Sequence, residues 1–141
     1  MKCCLPSLLL MIIVFYTPAL AAPFVSNSNS TVTDQGTGMV WQMDDDNVTR
    51  TWQGALDYCN GLTIGGSSDW RLPDIKELSS IVDETRYWPA VAPVFSSTKA
   101  AYYWSASSYA SNPDNAWVVS FYDGYVYYLS KADSYYVRCV R

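Results

Sequence analysis

The chain has 141 residues, 9 Lys and Arg against 13 Asp and Glu, and no histidine. That length suits one domain, and a hydrophobic half excludes a largely disordered chain. The missing histidines exclude Ser-His-Asp and Cys-His catalysis and every His-bearing metal site, and a net charge of −4 argues against a nucleic-acid footprint.

Residues 1–21 read as a signal peptide. Lys2 is a short basic start, Leu8 to Phe15 an apolar run, and Ala19-Leu20-Ala21 a small-residue cleavage site. The run is too short to span a bilayer as a helix of ~20 residues. Cleavage leaves eight basic and thirteen acidic residues, net −5, and only Cys59 and Cys139 of the four cysteines. An even pair in an exported protein predicts a disulfide.

Residues 22–30, rich in Ser and Asn, are expected to form a flexible leader, and the domain then runs over 31–141. Thr31 to Gln42 predicts two strands joined at Gly36 and Gly38, followed by Asp44-Asp45-Asp46-Asn47 as a solvated acidic loop. Trp52, Ala55, Leu56 and Cys59 recur at helical spacing, which predicts a first helix over Thr51–Leu62, capped by Thr51 and stopped by Gly61. Cys59 lies on its apolar stripe. In DWRLPDIKEL, Asp74 and Glu77 have capping-box spacing, and Ile75, Leu78, Ile81 and Val82 give a second helix to about Asp83. Trp70 and Leu72 are expected in the core, with Arg71 paired to a carboxylate. Tyr87–Lys99 reads as loop.

Short strands follow residue 100. Asp123-Gly124 predicts a two-residue hairpin turn pairing 122 with 125 and 118 with 129. That register puts Trp117, Val119, Phe121, Val126 and Tyr128 on one face, and Val118, Ser120, Tyr122, Tyr125, Tyr127 and Leu129 on the other. A last strand, Tyr135 to Val140, carries Cys139 inward. Nine of the 12 tyrosines lie beyond residue 100. Tyr offers large contact area at low entropy cost, with a hydroxyl for specificity. The candidate ligand-binding residues are therefore Tyr102, Trp104, Tyr109, Asn112, Asp114, Asn115, Tyr122, Tyr125 and Tyr127.

TVTDQGTGMVWQ, TWQGALDYCNGL, DWRLPDIKEL, YYWSAS, NAWVVSFYDGYV and YYVRCVR resemble, in that order, the landmarks of the Legionella collagen-like protein C-terminal domain family. The resemblance covers Thr31 to Arg141. It implies an α+β, C-type-lectin-like fold with two helices packed on a small twisted antiparallel sheet, its long disulfide joining the first helix to the last strand. It also implies export, adhesion to sulfated glycosaminoglycans, and a homotrimer. A related use of the fold is the variable ligand-binding protein of diversity-generating retroelements. Gly54 departs from the Glu usual in similar sequences. Net −5 fits a sulfated polyanion poorly, unless Lys99, Lys131, Arg138 and Arg141 form a local basic patch.

The Ca²⁺-binding triplets of sugar-binding C-type lectins are missing, so no metal or cofactor is expected. Asn112-Pro113-Asp114-Asn115 reads as a turn. Asp57, Asp69, Asp74 and Glu77 are the carboxylates a glycan-cleaving enzyme would draw on, but their spacing singles out no pair. The expectation is an exported, non-enzymatic recognition domain for a surface glycan or protein.

Overall fold

A computed structural model describes residues 23–141; the expected signal peptide lies outside them. The architecture is α+β, with two three-stranded antiparallel sheets and two helices. The first sheet is β1 (Phe24–Ser26), β2 (Thr31–Asp34) and β3 (Val40–Gln42), in that order. Helices α1 (Trp52–Asn60) and α2 (Ile75–Ser79) follow, then a second sheet of β4 (Tyr102–Ser108), β5 (Asn115–Ser120) and β6 (Val126–Ser130). One sheet was expected and two are present. The leader is likewise partly structured. Phe24, Val25 and Ser26 pair with Asp34, Thr33 and Val32, and the Asn27 amide donates to the Thr31 and Thr33 hydroxyls.

Both helix starts follow their sequence signals. The Thr51 hydroxyl accepts from the Gly54 N–H, and Asp74 and Glu77 form a reciprocal capping box. Helix α2 stops at Ser79, short of Asp83, because the next turn is recruited elsewhere. The Ile81 carbonyl accepts from Ala92 N–H and the Asp83 N–H donates to the Ala90 carbonyl, which ties the chain to the following loop.

The β5–β6 register is shifted by two from the expected hairpin: Val118 faces Tyr127 and Val119 faces Val126. Phe121 causes the shift. Its fully buried ring packs on Tyr103, its N–H donates to the Ala101 carbonyl, and its own carbonyl accepts from Ala90 N–H. Pulled into the core, Phe121 leaves the ladder and widens the connection. A shift by two keeps each side chain on its expected face.

The last strand is not a strand. Tyr135, Tyr136 and Val140 make single bridges to Arg50, Tyr103, Arg71 and Trp41. Alternation survives without a ladder. Val137 and Cys139 enter the core cluster of Ala55, Trp70, Leu72, Trp104 and Val118. Val140 enters the other, around Trp41, Leu78, Ile81, Phe95 and Phe121. The expected disulfide joins Cys59 of α1 to Cys139, with Cα atoms 5.5 Å apart across 80 residues.

Candidate functional site

The second sheet divides the predicted ligand residues instead of gathering them. Tyr102 and Trp104 share a face with Ser120 and Val118, because they lie opposite them in β4–β5. The covered part of that face is core. Trp104 is 0% exposed, its indole N–H donating to the Arg50 carbonyl at 2.8 Å and its ring 5.0 Å from Tyr135. Trp104 is thus a packing residue and leaves the candidate site.

At the uncovered end of the same face, Tyr102 meets Tyr127 at 5.7 Å and Tyr135 at 5.5 Å, both edge to face. The Tyr127 hydroxyl donates toward Asp123 at 3.4 Å. Partial desolvation, followed by the Asp123 charge, raises the Tyr127 pKa. Desolvation and then Asp133 do the same for Tyr135. Both hydroxyls are neutral donors around neutral pH. Tyr125, 69% exposed, stands beside this cluster.

Tyr128 sits on the opposite face of β6, stacked on Tyr109 at 4.0 Å with Trp117 edge-on at 5.6 Å. The 111–115 loop adjoins this second cluster. Tyr109 N–H donates to the Asn115 carbonyl, Asn115 N–H to the Asn112 carbonyl, and Asp114 N–H to the Asn112 side chain. The loop's Asn and Asp groups therefore build a turn, as expected, and lie with Tyr109 rather than with Tyr127. Tyr122 belongs to a third site, 5.1 Å from the exposed Trp88. Tyr128, Tyr135 and Trp88 were absent from the predicted set. Alternation from Tyr127 already places Tyr128 outward on an edge strand, and that signal was available.

The basic patch does not form. Arg138 is fully buried, donating to the Gln42 and Met43 carbonyls, the Thr98 hydroxyl at 2.8 Å and Asp45 at 3.3 Å. Arg141 pairs with Asp69, and the Lys131 ammonium lies 3.9 Å from the Trp52 ring centre while donating to Ser108. The expected solvated acidic loop is exposed at Asp44, Asp46 and Asn47 and is corrected at Asp45. Asp45 is 5% exposed and accepts from the Tyr103 hydroxyl at 2.5 Å, while Asp46 pairs with Arg50. Burial pulls the Arg138 pKa down, opposed chiefly by the Asp45 charge, and burial pushes Tyr103 well above the phenol range. The sequence carried a hint: Arg138 stands in YYVRCV, where its other neighbours are apolar or aromatic.

A cavity of about 650 Å³ lined by Phe24, Val82, Ala92 and Val94, with Asp83 and Glu84 at hand, is separate from all three aromatic clusters. Among the described residues, no helix is long and apolar enough to cross a membrane.

The family model of the Lcl C-terminal domain matches residues 30–141. The chain belongs to that family. The match takes in both helices, the second sheet, the disulfide, the Arg138 network and every tyrosine cluster; of the strands, only β1 precedes it. Comparison with curated proteins yields no match. Membership of that family suggests a domain of extracellular type, and the Cys59–Cys139 bond is one that an exported protein retains.

Proposed function

We propose that this Lcl C-terminal domain is an exported, non-enzymatic recognition module of C-type-lectin-like fold, binding a surface glycan or a protein through the tyrosines that flank β6. The observation that carries the reading is the cluster of Tyr102, Tyr127 and Tyr135 beside Tyr125. Their rings meet edge to face, and Tyr102, Tyr125 and Tyr127 remain exposed after the fold has formed. An exposed aromatic group held by neighbours loses little entropy on binding, and its neutral hydroxyls give direction. The lectin-like fold is supported by the α1-to-terminal-segment disulfide and by Val40 and Arg141, which exchange main-chain hydrogen bonds and tie the last residue to β3 of the first sheet.

The charge distribution narrows the ligand. With Arg138 buried and Arg141 neutralised, a sulfated polyanion finds no concentrated basic surface, so we assign a neutral glycan or a protein face. The non-enzymatic reading is supported by the carboxylates a glycosidase would need. Asp69 and Glu77 are held by arginines, and Asp74 caps α2. A glycan and cell-surface array comparing the unaltered domain with Tyr125→Ala and Tyr127→Ala tests the reading. Binding lost in both variants supports it; binding that both retain removes the site.

A further inference from the structure

Strand β6 is an open sheet edge. It pairs with β5 alone among the described strands. The Ser120 N–H to Tyr125 carbonyl bond and the Lys131 N–H to Asp114 carbonyl bond continue the ladder past both ends. In an antiparallel ladder, main-chain groups alternate inward and outward. Tyr127 and Leu129 therefore turn theirs toward β5, while Val126 and Tyr128 turn theirs outward, with no partner among the described residues. Proteins blunt such edges with lysines, prolines or bulges inside the strand. The sequence Val126-Tyr127-Tyr128-Leu129-Ser130 contains no charge and no proline, and its pairing with β5 is regular throughout.

The ends of the strand identify what the edge accepts. Asp123 lies three residues before it and Asp133 three residues after, while Lys131 is turned onto Trp52 and Ser108. A second copy, paired antiparallel over all five residues, centres on Tyr128 and brings Asp123, in the turn before the strand, to the same end as the other copy's Asp133, in the turn after it. Like charges meet at both ends, which acts against self-pairing. An extended segment with apolar residues between flanking lysines or arginines meets acid at both ends instead.

We propose that β6 accepts such a basic-flanked extended peptide by strand addition, the Val126 and Tyr128 main chain giving affinity and the tyrosines on either face giving selectivity. This goes beyond the side-chain surface proposed above, because it uses main-chain groups that a bound sugar would leave free.

The probe is the synthetic peptide Lys-Lys-Val-Thr-Val-Tyr-Val-Lys-Lys, added to the intact domain with residue-resolved amide exchange as the readout. Exchange at Val126 and Tyr128 slows by about tenfold at saturation, while Tyr127 and Leu129, already bonded to β5, change little. The same peptide N-methylated on the three valines no longer protects them, and glutamates in place of the lysines weaken binding. Unchanged exchange at Val126 and Tyr128, equal protection by the N-methylated peptide, or sedimentation showing that the free domain dimerises through β6 would each overturn the proposal. An array-positive domain that fails this test keeps its side-chain site and loses strand addition alone.

Discussion

A guanidinium in the core stays charged only if enough acceptors surround it, and Arg138 finds them on two separate segments: Gln42, Met43 and Asp45 on one, and Thr98 on the other. Asp45 also accepts from Tyr103, so one carboxylate ties the terminal segment to β4. Removing one member of a buried pair strands the other, at a cost of about 3–5 kcal/mol. Arg138→Met should therefore lower the urea unfolding free energy by about that much; a loss below about 1 kcal/mol would mean that the network contributes little. Two aromatic residues separate packing from recognition. Trp104→Ala should cost about 3–5 kcal/mol, whereas Tyr127→Ala, at an exposed site, should cost under about 1 kcal/mol and abolish binding. Thermal unfolding paired with the array distinguishes them.

Among the elements, those whose signals are local were legible. The Thr51 cap, the Asp74–Glu77 box and the Cys59 stripe each follow from a few neighbouring residues, and each formed where expected. The elements that differ were decided by distant contacts. Phe121 is drawn to Tyr103 and Ala101, the end of α2 to Ala90 and Ala92, and the terminal segment to four different partners. The tyrosine site was half legible for the same reason: composition marks the tyrosines as a group, but only the sheet reveals that β6 divides them between two faces. Gly124 has φ +86°, and a Cβ there would approach Val82 Cγ1 to 2.8 Å. Gly124→Ala should lower the melting temperature through both strain and that clash, by at least about 1 kcal/mol in stability.

Helix α2 also shapes the acid response. Hydrogen bonds from Arg71 lead the effects that hold Glu77 below its ordinary 4.5, and those from Arg50 do the same for Asp46 below 3.8. The folded state then binds protons less readily than the unfolded chain, so the stabilisation is complete above pH 4.5 and is lost as pH falls through the lower folded values. Urea midpoints measured from pH 6 to 3 should fall on the acid side, less steeply in Glu77→Gln. A midpoint that rises toward pH 4 would contradict this.

For the whole molecule, the disulfide and the open aromatic edge divide the work of stability and contact. Closing an 80-residue separation restricts the unfolded chain by about 4.5 kcal/mol in the loop-entropy account. A Cys59→Ser, Cys139→Ala variant should lose roughly that stability in urea titration, while an unchanged midpoint would deny the bond its role. Of the cations that would have suited a polyanion, Arg138 is spent inside the fold, Arg141 on Asp69 and Lys131 on Trp52 and Ser108, which leaves Lys99 exposed and the tyrosines as the clustered surface chemistry. The array separates the tyrosine surface from every other explanation of binding. The folded, oxidised domain should bind a neutral glycan or a protein face, and Tyr125→Ala and Tyr127→Ala variants that still melt at the original temperature should not; full binding by both variants would mean that these tyrosines are not the site.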